Sequence, residues 1–255
     1  MKNFALIYAF LSTTCIAAMP LTASAGDQIL YRLVQKRVQI NSYSIPYVIY
    51  IPGANPDPKN QPVILYLSGS GERGSDGMLQ TTSGIGPSLN SKRFPAVVVM
   101  PQCPLNKVWS DAMDPADPSS PRVEDLALKA LDEASEIYDS DPDRVYLTGT
   151  SLGGFAAWDI ASQYPDRFAA VLAIAGGGSP ATMAPLLKSV PIWAANGRWD
   201  TTVPRKRTRE MVAAVRAQGN PNVHYTEYFF DMHNCWDDAY RDETILKWLF
   251  EQRRK

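Results

Sequence analysis

The stretch Val145 to Phe155, V-Y-L-T-G-T-S-L-G-G-F, constrains the fold of this chain more than any other. A short β-branched and aromatic run ends at Gly149, Ser151 follows two places on, and a helical pattern runs from Leu152 through Tyr164. The spacing predicts strand, tight turn and helix, with a serine at the apex. Gly149 and Gly153 bracket that serine as G-x-S-x-G. Such a turn strains the serine backbone and packs the helix so close to the strand that a side chain at either glycine would block it. It presents the hydroxyl at the carboxyl edge of a sheet and aims the backbone N–H of Leu152 at the same space, where an oxyanion would develop. The bare motif also fits an ordinary glycine-rich turn; the strand before it and the helix after it favour the nucleophile.

The flanking pattern predicts an α/β protein. Tyr31 to Ile40 and Ser44 to Ile51 read as an antiparallel hairpin turning near Asn41, and Val63 to Leu67 is a continuous apolar run suited to a strand covered on both faces. Ala96 to Met100, Val145 to Gly149, Phe168 to Ala175, Pro191 to Ala195 and Val223 to Phe230 read as further strands. Between them, helices are predicted from a Ser120-Pro121 cap to Tyr138, over Leu152 to Tyr164, over a short stretch from Ser179 to Lys188, and over Pro204 to Gln218. Asp238 to Arg253 reads as a closing amphipathic helix. This alternation implies a mostly parallel sheet with helices on both faces, and a chain of 255 residues can bury such a core as one domain. The connection between Ala175 and Pro191 is too short for a lid domain.

A serine hydroxyl is a weak nucleophile at neutral pH, so it needs a base in hydrogen-bond reach and an acid to orient that base. Only two histidines are available. His224 falls near the start of a predicted strand, at the wrong end; His233 follows the same strand and reaches the edge that carries Ser151. For the acid, Asp200 follows the Pro191 to Ala195 strand in N-G-R-W-D, at the same edge. Asp231 is the rival, but a turn role at a strand end accounts for it. The glycine-rich Ser68 to Gly74 after the Val63 strand is placed to supply a second oxyanion donor, the N–H of Ser70 beside that of Leu152. Trp109, in the long irregular stretch Pro101 to Ser120, is a candidate substrate contact or a loop anchor, and Trp199 and Trp236 fall near the same mouth. Glu72 and Arg73 read as a structural pair, the alternative being contact with substrate.

Taken together, LYLSGSGERGSD (Leu65 to Asp76), MPQCP (Met100 to Pro104), YLTGTSLGGFAAWDIASQYPDRFAA (Tyr146 to Ala170), NGRWDTTVP (Asn196 to Pro204) and HNCWDDAY (His233 to Tyr240) resemble the α/β-hydrolase superfamily. Within it they are similar to secreted esterases and peptidases related to dienelactone hydrolase, feruloyl esterase and polyhydroxybutyrate depolymerase. The resemblance covers about Tyr47 to Trp248. It implies an α/β-hydrolase fold without a sizeable lid and a Ser151, His233, Asp200 relay forming an acyl-enzyme. It further implies a small soluble or carbohydrate-linked ester as substrate, with no cofactor and no metal. Two positions depart from the relatives' pattern: Ser68 and Asn196 stand where histidines are usual. A serine peptidase on short peptides, and a non-catalytic binding protein on the same scaffold, are the alternative readings.

The first 25 residues read as an export signal: Lys2, an apolar run from Phe4 to Ala18, and Ala23-Ser24-Ala25 before Gly26. Residues 26–255 are then the catalytic domain, secreted or periplasmic. The apolar run is short and broken by Ser12, Thr13, Thr14 and Pro20, which argues against stable membrane insertion. With Lys2 removed, 24 basic residues stand against 26 acidic ones, a balance that offers nothing to nucleic acid. Two cysteines, Cys103 and Cys235, remain; an oxidising compartment permits a disulfide between them, the alternative being two unrelated buried thiols.

Overall fold

A computed structural model of the chain describes residues 31–53, 60–91 and 94–254. The expected export signal, residues 1–25, lies outside the described residues. Val63–Leu67 shows why the sheet forms where it does. Every side chain of this strand is buried, Val63, Leu65 and Leu67 in one apolar cluster and Ile64 and Tyr66 in another, because successive side chains point to opposite faces. A strand with no polar face needs helices on both sides.

In chain order the first half comprises β1 (Tyr31–Ile40), β2 (Tyr43–Pro52), β3 (Val63–Leu67), α1 (Gly86–Ser91), β4 (Val97–Pro101), α2 (Val123–Ile137) and β5 (Val145–Thr150). The second half comprises α3 (Leu152–Gln163), β6 (Ala170–Ile174), α4 (Pro180–Met183), β7 (Ile192–Gly197), α5 (Arg205–Ala217), β8 (Val223–Tyr228), α6 (Trp236–Ala239) and α7 (Glu243–Glu251). The strands form an eight-stranded sheet in the order β1-β2-β4-β3-β5-β6-β7-β8. β1 pairs antiparallel with β2 and β2 with β4; all later pairs are parallel. Because the strands from β3 onward run the same way, the loops after β3, β5, β7 and β8 all emerge at one edge. No helix among the described residues is long and apolar enough to cross a membrane.

The sequence reading did not predict α1, and two helix boundaries differ from it through side-chain capping. α2 begins at Val123, where the Asp125 carboxylate accepts the Arg122 N–H at 2.7 Å; Ser120 instead accepts the Asp114 N–H at 2.7 Å within the preceding loop. The closing helix is broken into α6 and α7, because Asp242 Oδ1 accepts the N–H groups of Thr244 (2.9 Å) and Ile245 (3.4 Å) and starts a new helix.

The disulfide considered between Cys103 and Cys235 is not formed. Both thiols are free and buried, and they lie in different apolar clusters: Cys103 with Leu65 and Trp109, Cys235 with Tyr66 and Tyr240. The sheet stands between the two clusters. Burial pushes both thiols up to about 12, so neither is a thiolate at neutral pH. Iodoacetamide applied in denaturant without reductant is therefore expected to alkylate both cysteines in full; a mass showing them still joined would refute this.

Candidate active site

The turn after β5 is the strained element of the site. Ser151 has φ 53° and ψ −115°, in a region L-residues seldom occupy, and such strain costs about 1–3 kcal/mol. The packing on either side over-determines it: Leu147 on β5 and Trp158 and Ile160 on α3 are fully buried, and a buried side chain of that size contributes about 1.5–3 kcal/mol. The close approach requires glycine. A Cβ on Gly153 would stand 1.9 Å from the Leu67 carbonyl oxygen, so any larger residue would push α3 off β3.

The loop after β8 reaches the same place. A Cβ on Gly197, the last residue of β7, would stand 1.9 Å from the Met232 carbonyl oxygen, so this glycine lets the β8 loop close over the end of β7. His233 then contacts both partners: its Nε2 is 2.9 Å from Ser151 Oγ and its Nδ1 is 2.8 Å from Asp200 Oδ2. Trp236 packs edge-on against the imidazole, with ring centroids 5.3 Å apart. The Asp200 side chain is fully buried and its acceptors are used: Oδ1 takes the N–H groups of Thr202 (2.9 Å) and Val203 (2.8 Å), and Oδ2 takes His233 and, at 3.4 Å, Asn196 Nδ2. A carboxylate held this way is fixed in its orientation toward Nδ1.

The rival acid faces elsewhere. The Asp231 backbone carbonyl accepts the Trp199 N–H at 2.9 Å, while burial first, then the neighbouring Asp238, push its carboxyl above the usual carboxylate range. The folded state thus holds this proton more tightly than the unfolded chain. Its contribution to stability is full in acid and is lost as the pH rises through the raised value. Asp231→Asn is accordingly expected to raise Tm at pH 7, with a gain that shrinks as the pH falls into the carboxylate range. A Tm gain independent of pH would contradict that cause.

The loop after β3 passes beside the nucleophile, a Cβ on Gly69 falling 3.5 Å from Ser151 Cβ. Ser70 opens a 3-10 turn and Leu152 opens α3, so both N–H groups belong to first helical residues and have no acceptor within their own helices. Arg73 does not pair with Glu72: it clamps the loop, donating from Nε to the Ser70 carbonyl (3.0 Å) and from Nη1 to the Lys107 carbonyl (3.2 Å). Trp109 proves to be an anchor, 1% exposed, with Nε1 donating to the Ser68 carbonyl at 3.2 Å; it also lines a cavity that Leu152 borders. Trp199 is 56% exposed at the rim, with the Arg198 guanidinium 5.7 Å from its ring centre. His224 lies apart, stacked on Trp193 at 4.8 Å.

Asn196 is the residue whose part the sequence did not disclose. Fully buried at the end of β7, it donates from Nδ2 to the Gly197 carbonyl (3.1 Å), to Asp200 Oδ2 and to the Val203 carbonyl (3.4 Å each). Its Oδ1 lies 2.8 Å from the Thr208 hydroxyl of α5. The amide stitches the loop bearing Asp200 to its strand and to α5. Its only signal in the sequence is that it replaces a histidine usual in similar proteins.

Sheet order, sharp serine turn and convergence of three loops at one edge define the α/β-hydrolase fold. Residues 42–225 match the model of the esterase family described as "Putative esterase", and the chain belongs to that family. Among solved structures it is similar to a thermostable esterase, with 29% identity, a TM-score of 0.76, and coverage of 88% of this chain and 64% of that one. It is 34% identical over 128 residues to the protein described as "Putative esterase NocK" of Nocardia uniformis subsp. tsuyamanensis, covering 49% of this chain and 36% of that protein. It is also 28% identical over 173 residues to poly(3-hydroxyalkanoate) depolymerase C of Paucimonas lemoignei, covering 66% of this chain and 40% of that protein. The matched part thus spans well under half the length of either curated relative.

Proposed function

We propose that this chain is an exported serine hydrolase that cleaves carboxylic esters, on small soluble or carbohydrate-linked substrates, through an acyl-enzyme. The observation that carries the reading is the continuous contact from Ser151 Oγ through the imidazole of His233 to the buried carboxylate of Asp200. In this mechanism Ser151 Oγ attacks the ester carbonyl carbon while His233 Nε2 takes the hydroxyl proton. Asp200 stabilises the imidazolium through Nδ1–H without taking the proton itself. The carbonyl π pair moves onto oxygen, and the resulting oxyanion accepts the N–H groups of Leu152 and Ser70. Collapse breaks the bond to the alcohol oxygen, which leaves with the proton from Nε2. Water then repeats the attack on the acyl-enzyme with His233 again as base, releasing the acid and restoring Ser151.

Family membership supports ester hydrolysis, and the apolar stretch before Gly26 supports export. The exposed Trp199 and the half-buried Trp236 flank the side on which the alcohol would leave, which suits a ring-bearing alcohol such as a sugar. The test is hydrolysis of p-nitrophenyl acetate by the purified protein beside its Ser151→Ala variant, with aminoacyl anilides run in parallel. Equal rates for the two proteins would defeat the reading, and faster turnover of the anilides would replace esterase by peptidase.

A further inference from the structure

The two N–H groups that the mechanism requires for its oxyanion are free. Among the described residues neither Ser70 N nor Leu152 N donates to a protein acceptor. They are held unequally. Leu152 opens α3, a helix of 12 residues packed into the core. Ser70 opens a 3-10 turn of 3 residues, none of them buried, and its N–H hangs on Gly69. Glycine has the widest choice of φ and ψ, so nothing local fixes the plane of the Gly69–Ser70 peptide.

Two side chains supply what the glycine lacks. The peptide planes on either side each have their carbonyl taken by a donor: Trp109 Nε1 reaches the Ser68 oxygen at 3.2 Å, and Arg73 Nε reaches the Ser70 oxygen at 3.0 Å. Because peptide units are planar, pinning both outer planes leaves only the torsions of Gly69 and Ser70 to orient the amide between them.

Both donors are themselves braced by the segment after β4. The Trp109 carbonyl accepts the Glu124 N–H of α2 at 2.8 Å. Arg73 Nη1 donates to the Lys107 carbonyl at 3.2 Å, an oxygen that also accepts the Cys103 thiol at 3.4 Å. Gly74 N–H donates to the Cys103 carbonyl at 2.9 Å, and Gln102 Nε2 to the Glu72 carbonyl at 3.3 Å. Among the described residues no carboxylate pairs with Arg73. Its guanidinium instead spans two backbone carbonyls from different loops, and the planar fork fixes the angle between those bonds as an ammonium group would not.

We infer, on the strength of the esterase reading with Ser70 N–H as an oxyanion donor, that Arg73 and Trp109 are positioning residues of the oxyanion hole. Together they hold the Gly69–Ser70 plane, so that its N–H is aimed before substrate arrives. Such a donor costs no reorganisation at the moment of reaction, and its benefit falls on the transition state more than on the bound ester.

The experiment measures hydrolysis of p-nitrophenyl acetate by wild type, Ser151→Ala, Arg73→Ala, Arg73→Lys and Trp109→Phe, each checked for folding by circular dichroism. It also measures inhibition by phenethyl trifluoromethyl ketone and by the corresponding carbinol. The ketone takes Ser151 Oγ onto its carbonyl carbon, the hydroxyl proton passing to His233 and the π pair to the oxygen, which then occupies the hole; the carbinol binds without that step. Deleting an oxyanion donor costs about 10² to 10³-fold, so releasing one is expected to cost Arg73→Ala about 10 to 100-fold in kcat/KM. The inhibition constant of the ketone should rise by about the same factor, and that of the carbinol by less than about twofold. Arg73→Lys keeps the charge without the fork and should stay about fivefold or more below the wild type. Trp109→Phe, which loses only the N–H and part of the ring, should fall by about tenfold; if it fails to fold, the two Arg73 variants decide. Arg73→Ala within about twofold of the wild type, a full rate in Arg73→Lys, or equal weakening of ketone and carbinol would each overturn the inference, while Ser151-dependent hydrolysis leaves the esterase reading standing. Equal rates for wild type and Ser151→Ala would overturn both.

Discussion

Ser151→Ala is expected to lower kcat on p-nitrophenyl acetate by roughly 10⁴ to 10⁶-fold while changing Tm by only a few degrees. The alanine keeps the Cβ, so the unusual backbone at φ 53° and its packing between β5 and α3 persist. What disappears is the oxygen 2.9 Å from His233 Nε2, and with it the atom that would become acylated. What is left behind are the N–H groups of Ser70 and Leu152, which on the proposed mechanism would accelerate direct attack by water only modestly. Fluorophosphonate labelling, followed by intact mass, checks the same atom independently: one adduct per wild-type chain, none on the variant. Retention of a tenth of the wild-type rate would mean that the nucleophile is elsewhere.

Asp200→Asn is expected to cost about 10⁴-fold in kcat with the fold retained. The carboxylate accepts four N–H groups in the structure, two of them, from Thr202 and Val203, on Oδ1. If the asparagine oxygen takes the Oδ1 place, its NH₂ must face His233 Nδ1 and Asn196 Nδ2. Nδ1 then has to accept, the imidazole proton moves to Nε2, and the base can no longer receive the proton of Ser151. Fluorophosphonate labelling of Ser151 should slow in parallel. A variant within tenfold of the wild type would show that the orienting acid is a different residue.

Much of the architecture was readable because period-2 and helical patterns are local. The run VILYL suited a doubly covered strand, and the G-T-S-L-G turn demanded its two glycines for steric reasons that apply in any chain with this turn. What was misread involved side chains acting on the backbone. The closing helix breaks because Asp242 competes as a cap, and no apolar periodicity records that competition. The two cysteines looked equivalent as points along a chain, yet residues 103 and 235 fall on opposite faces of the sheet. Facing is set by register and twist, which are properties of the assembled sheet.

For the candidate site the division is similar. Chain order and strand ends alone assigned Ser151, Asp200 and His233 to one edge, since parallel strands must deliver their following loops to the same side. Tertiary structure decided the rest: that Gly197 lets the loop after β8 come close enough for His233 to touch both partners, that Asn196 and Arg73 hold the loops on which Asp200 and Ser70 ride, and that Trp109 is an anchor. A sequence specifies which groups arrive at an edge through short-range sterics and hydrogen bonding. Distances of a few ångströms between groups far apart in the chain depend on how whole layers pack, and only the folded molecule contains that information.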